Sequence, residues 1–248
     1  MSAAANLTDS SRQKRVLMVA SNGATSPVTG WPVGVWMAEI SHTWLAFTEQ
    51  GYHIDIASPE GGELQLDGFS DPRHESGYSA HDIVSLGFLT SPTHAELINN
   101  TLPLSSVDLS SYDAIMFVGG QAPMVTFRGN ASLQNMLRTA WDAGKIIGVL
   151  CHATCLLLET TLADGSLLVS GKTWTGFSDA EEAYVDAYVG QRLQPFWIET
   201  EARKLEGTNF IANSPFKPFA IRDGRLITGQ QQNSGRAVAD LVIQALGA

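Results

Sequence analysis

Short, wholly apolar runs that end in glycine or polar residues constrain this chain most. Arg15-Val-Leu-Met-Val-Ala-Ser-Asn22, Asp113-Ala-Ile-Met-Phe-Val118 and Lys145-Ile-Ile-Gly-Val-Leu150 lack the alternation of a half-buried strand and are too short for core helices. They read as strands buried on both faces, which is the habit of parallel sheets. His53-Ile-Asp-Ile-Ala-Ser58 is a further strand, closed by Pro59 and the pair Gly61-Gly62. Between these runs the spacing turns helical. Trp36, Ile40, Trp44 and Phe47 recur at three or four residues over 35–50, and Gly51 stops the helix. A second helix follows Asn130 and ends at Gly144, and a third begins over 153–158. Others are expected at 94–99, 179–188, 196–205 and 234–246. Asp223-Gly224 is a two-residue hairpin turn inside 219–228. Strands alternating with helices predict an α/β fold, a mainly parallel sheet sandwiched by helices.

A chain of 248 residues buries enough surface to need neither disulfide nor metal for its core. With 44% hydrophobic and 16% charged residues and a mean hydropathy of +0.00, disorder is excluded over most of the length. Acidic residues outnumber basic ones 25 to 15, for a net charge of -10. No basic footprint for nucleic acid is present, and an anionic membrane surface would repel the protein. No apolar run approaches the ~18 residues of a membrane span. Residues 1–14 carry no apolar segment of a secretory signal, so they read as a flexible lead and the expected location is cytoplasmic. Residues 15–248 show no repeat or linker and read as one domain, with the irregular stretch 63–104 as a cap-like insertion.

Chemistry concentrates at the ends of the apolar strands. Cys151 follows the strand 145–150 at a strand-to-helix turn, where open α/β sheets bind ligands. The free N–H groups and positive dipole of the helix that follows are expected to lower the thiol pKa. Cys155 lies one turn into an apolar helix and reads as structural. His152 is adjacent, and a sharp turn can bring both side chains to one pocket as nucleophile and partner. Gly119-Gly120 closes the neighbouring strand. It suits either an ordinary turn or an oxyanion hole of backbone N–H groups. Glu39 sits among Trp36, Met37, Ala38 and Ile40, surroundings that raise a carboxyl pKa and suit a general acid/base. The remaining histidines show no metal-ligand spacing, and no glycine-rich phosphate loop follows the first strand. Neither a metal nor a cofactor is expected.

Together these residues resemble the ThiJ/PfpI (DJ-one) superfamily, in its glyoxalase III and stress-chaperone branch. Supporting stretches are Ala57-Ser-Pro-Glu-Gly-Gly62, 171–182 and Asp223-Gly-Arg-Leu-Ile-Thr-Gly229. The resemblance implies a class I glutamine amidotransferase-like, flavodoxin-like fold and a homodimer. It implies Cys151 as nucleophile, His152 as its partner and Glu182 as the third member, with Glu181 as the fallback. Glu39 would hydrogen-bond the nucleophilic sulfur. Gly120 and the His152 backbone would supply oxyanion donors, with Gly119 and Gln121 beside them. The branch places His after the paired glycines, where this chain has Gln121, which cannot carry a proton at neutral pH. The implied activity is conversion of methylglyoxal or a similar 2-oxoaldehyde to a 2-hydroxy acid. The rivals are hydrolysis or hydration of another small electrophile (an amide, an isonitrile or a glycated adduct) and a non-catalytic stress holdase.

Overall fold

The computed structural model describes residues 13–247. The lead expected over 1–14 therefore lies almost wholly outside the described residues. A seven-stranded sheet forms the centre. In chain order its strands are β1 (Arg15–Val19), β2 (His53–Ser58), β3 (Leu102–Pro103), β4 (Ala114–Phe117), β5 (Ile146–Leu150), β6 (Ala220–Asp223) and β7 (Leu226–Gly229). Their spatial order is β6-β7-β5-β4-β1-β2-β3. All pairings are parallel except the β6–β7 hairpin, whose turn holds Gly224 at φ 64. The apolar runs explain the topology. Val16–Val19, Ala114–Phe117 and Ile147–Leu150 are buried along their lengths, so both faces of the sheet must be covered.

The covering helices are α1 (Met37–Glu49), α2 (Ile83–Thr90), α3 (Pro92–Asn99), α4 (Ala131–Asp142), α5 (Asp179–Val189) and α6 (Gly235–Ala245). From β1 the chain crosses through α1 to β2, and from β4 it crosses the opposite way through α4 to β5. Right-handed crossovers in opposite directions put α1 and α4 on opposite faces. Helix α6 packs beside α1, with Val238 and Val242 close to Gly148 of β5. Residues 63–104 hold α2 and α3, which pack on α1 and on each other, and they end in the edge strand β3. Helix α2 had no clear periodic signal, because its run Ile-Val-Ser-Leu-Gly-Phe-Leu-Thr is apolar nearly all round.

The segment after β5 differs from expectation. Cys151–Leu158 is a 3-10 helix in which every residue is buried. Its tighter winding suits a short connector with no exposed face.

Candidate active site

Parallel registration brings three strand ends to one edge. Val19 pairs with Phe117, and Phe117 with Val149. The residues just beyond, among them Gly119 and Cys151, therefore share the carboxyl edge of the sheet beside the point where strand order reverses. Ligands bind there in open α/β sheets.

Cys151 sits at the corner with φ 57, a left-handed conformation that is uncommon outside glycine. The surroundings hold it there. Thr154 Oγ1 donates to the Cys151 carbonyl at 2.6 Å, and the Leu150 side chain just before it packs near Gly229 and Gly235. Strain maintained in this way is typical of functional corners. A Cβ on Gly119 would stand 2.9 Å from both Cys151 Cβ and His152 N, and one on Gly120 would stand 2.5 Å from Trp36 N. The paired glycines are thus required by close approach as well as by the φ of 105 at Gly120.

The structure brings the side chains of Cys151, His152 and Glu182 together. Cys151 Sγ lies 3.8 Å from His152 Nδ1, and His152 Nε2 lies 3.1 Å from Glu182 Oε1. Phe177 stacks on the imidazole at 4.1 Å. Glu182 reaches this position because α5 begins with a capping box. Ser178 caps the helix, and Glu181 reaches back to the Ser178 N–H and hydroxyl at 3.0 and 2.8 Å. The other Glu181 oxygen accepts from Phe216 N–H and Gln230 Nε2 at 2.8 and 2.9 Å. Glu181 is therefore a buried structural acceptor, and Glu182 is the carboxylate that meets His152.

Glu39 enters from the first turn of α1 and is fully buried. Its Oε2 accepts the Gly119 N–H at 2.7 Å. Its Oε1 has no conventional hydrogen bond, and the Cys151 thiol is the neighbouring group that bears on the carboxyl. Burial raises the Glu39 pKa to about 8, against the pull of Cys151 and the Gly119 N–H. Burial thus disfavours the charged form of this carboxyl.

The expectation of a lowered Cys151 pKa is overturned. Burial, followed by the Glu39 charge and hydrogen bond, pushes the thiol well above its usual range. The N–H groups of His152 and Gly120 pull the other way and are outweighed. Loss of solvent around a buried thiolate costs more than a few peptide dipoles return. His152 shifts upward: burial opposes its charged form, and the charge and hydrogen bond of Glu182 overcome that opposition.

The residues offered as oxyanion and substrate contacts divide by the fate of their amides. The Gly120 N–H, like that of His152, is directed at the Cys151 sulfur. The Gly119 N–H is engaged by Glu39 and the Gln121 N–H by Asp67 Oδ2 at 2.7 Å. The Gln121 side chain lines the cavity above Cys151.

Sequence reasoning missed Asp67. Its buried carboxylate also accepts the Gly34 N–H at 2.8 Å, so it ties the loop before α1 to the loop after β4. Burial raises its pKa to about 6. An aspartate inside an irregular segment, before Gly68, gives no periodic signal of this role. The tyrosines of α5 were missed as well, since they mark the polar side of a helix until the pocket is seen.

The cavity has an empty volume of about 660 Å³, including its mouth. Among the described residues, no group of three or more His, Cys, Asp or Glu side chains converges as a metal site would need. No helix there is long and apolar enough to cross a membrane.

Comparison with known proteins places this arrangement. A model of the DJ-1/PfpI family matches residues 33–245. Glyoxalase 3 of Candida albicans is 26% identical over 239 residues, spanning 94% of this chain and 98% of its own. The crystal structure of glyoxalase III from the same organism superposes with a TM-score of 0.77 at 25% identity, over 94% of this chain and 97% of that one. The Rapid Encystment Protein of 24 kDa from Francisella tularensis superposes with a TM-score of 0.83 at 27% identity, over 95% and 100%.

Proposed function

Because the chain belongs to the DJ-1/PfpI family, we propose that it is a glutathione-independent glyoxalase, converting a 2-oxoaldehyde and water to a 2-hydroxy acid. Relatives carrying that activity in their names span nearly its whole length. The observation that carries the reading is a fully buried Glu39 carboxyl beside a cysteine held at a left-handed corner.

In this reading the thiol proton passes to His152 as Sγ attacks the aldehyde carbon. A C–S bond forms, and the new alkoxide faces the N–H groups of Gly120 and His152 before taking the proton as a hemithioacetal. Glu39, in its ionised form, then takes the proton from the former aldehyde carbon, and the electron pair moves onto the ketone oxygen to give an ene-diolate. Glu39 returns that proton to the neighbouring carbon while the hydroxyl proton of the former aldehyde passes to the other oxygen, so the aldehyde carbon is oxidised to a thioester and the ketone carbon is reduced to an alcohol. No outside oxidant or reductant is consumed. A carboxyl whose pKa lies near 8 can act in both directions near neutral pH. Water, activated by His152 with Glu182 orienting the ring, cleaves the thioester and frees Cys151.

Gln121 keeps a second reading in play. It lines the pocket and offers hydrogen bonds without a proton, which also suits hydrolysis or hydration of an amide or isonitrile at the same thiol. The test is a panel of 2-oxoaldehydes, amides and isonitriles, with no added glutathione or metal and product identified by NMR. Formation of a 2-hydroxy acid from 2-oxoaldehydes is the expected result. Turnover confined to amides or isonitriles would replace the glyoxalase reading with the second one.

A further inference from the structure

We infer that the pocket above Cys151 is built for a neutral carbonyl compound carrying an aromatic group, an aryl 2-oxoaldehyde if the reaction proposed above is the one performed. The first observation is the wall. Phe177 and Phe216 stand 6.5 Å apart at the inner end, and Tyr184 packs edge-on against Phe216 at 5.2 Å. Tyr78 bridges Phe69 and Tyr188 at 5.8 and 6.4 Å. The free faces and edges of these rings offer a further ring the same edge-to-face and offset contacts.

The second observation is charge. His152 and Glu182 are the charged groups in the lining, and they pair with each other. Among the described residues, no Lys or Arg lines the cavity. A carboxylate or phosphate on the substrate would lose its hydration there and find no cation.

The third observation is the mouth. Tyr184 and Tyr188 lie one turn apart on α5 and remain 58% and 64% exposed, next to the 40% exposed Tyr78. Large rings left in water around one opening are surface that a ligand can still bury.

The test has a binding arm and a turnover arm. In Cys151→Ser protein, acetophenone is titrated against acetone and phenylglyoxylate by intrinsic fluorescence. The expected Kd for acetophenone is at least tenfold below those of the small ketone and the anion. In active protein, kcat/KM is compared for phenylglyoxal and methylglyoxal. Differences in intrinsic aldehyde reactivity cancel when the ratio is followed across variants. Tyr184→Ser and Tyr188→Ser are expected to lower the phenylglyoxal-to-methylglyoxal ratio by about tenfold or more, the scale of a lost apolar pocket contact. Equal binding of the two ketones, or an unchanged ratio in both variants, would overturn the inference. A change of oligomeric state in the variants with the ratio preserved would assign the tyrosines to an interface and overturn it too. Selective acetophenone binding without turnover of any 2-oxoaldehyde would sustain the aromatic pocket and sink the glyoxalase reading.

Discussion

Cys151 and Cys155 share one 3-10 segment and are both buried, yet they inhabit different chemistry. Cys155 donates to the Pro123 carbonyl at 3.4 Å and is surrounded by core side chains, and burial pushes its pKa far up. Cys151 is also pushed up, by burial and then by the charge and hydrogen bond of Glu39, and it has the His152 imidazole beside it. Burial alone therefore does not distinguish the two thiols. What differs is the supply of groups that accept or donate a proton when a substrate arrives. Backbone N–H groups bear on both sulfurs, and the corner at the strand end adds an imidazole and a hydrogen-bonding carboxyl.

The widest separation between the two is expected in turnover. Cys151→Ser should lower kcat/KM by roughly 10⁴-fold or more, with native circular dichroism, while Cys155→Ser keeps most of it. Equal losses would erase the distinction. Next in size is Glu39. Glu39→Gln keeps shape but not the proton relay, so turnover should fall by roughly 10²–10⁴-fold. Glu39→Asp should also lose activity, through misplacement. Near-wild-type rates for both would remove Glu39 from the chemistry.

A smaller effect separates the adjacent glutamates. Glu182→Gln should lower turnover by roughly 10²-fold with little change in Tm. Glu181→Gln turns an NH2 group toward two of the four donors that the carboxylate accepts, so its main effect should be a stability loss of about 1–3 kcal/mol, read by urea unfolding. The reverse pattern would exchange the two roles.

Stability against pH tests the buried carboxyls. Glu39 is raised to about 8 and Asp67 to about 6. Between their unfolded values and these, the folded state binds more protons than the unfolded state. Stability is therefore fullest at low pH within that window and declines as pH rises through about 8. Glu39→Gln should flatten the decline between about pH 5 and pH 8, and an unchanged slope would mean Glu39 is not the group that titrates. The finest probe is alkylation. Above about pH 8, where Glu39 is ionised, removing its charge should lower the Cys151 pKa, so Glu39→Gln should speed iodoacetamide labelling of Cys151 there while slowing turnover. Cys155 should label only on unfolding.

The site was legible where sequence position fixes geometry. Cys151 after a buried strand, Gly119-Gly120 after its neighbour and Glu39 in an apolar first turn could be placed because parallel strands end at a common edge. Their chemistry was less legible. The lowered thiol pKa inferred from a following helix failed, since that inference counted dipoles and not the solvent removed by Phe177, Trp36 and the loops above. Asp67 escaped notice because its partners, Gly34 and Gln121, are distant in sequence.

The sequence by itself determined the α/β alternation, the hairpin at Asp223-Gly224 and the strand-end positions of the reactive residues, because local propensity and burial pattern act over a few residues. Tertiary structure alone decided which of Glu181 and Glu182 meets His152. Both are buried at the start of one helix, and a rotation of about 100° per residue separates their directions. It also decided the left-handed turn at Cys151 and the aromatic wall, since each is held by segments that meet only when the sheet has assembled. Long-range packing, which no local pattern encodes, sets the solvent around each charge and hence the proton affinities on which the chemistry depends.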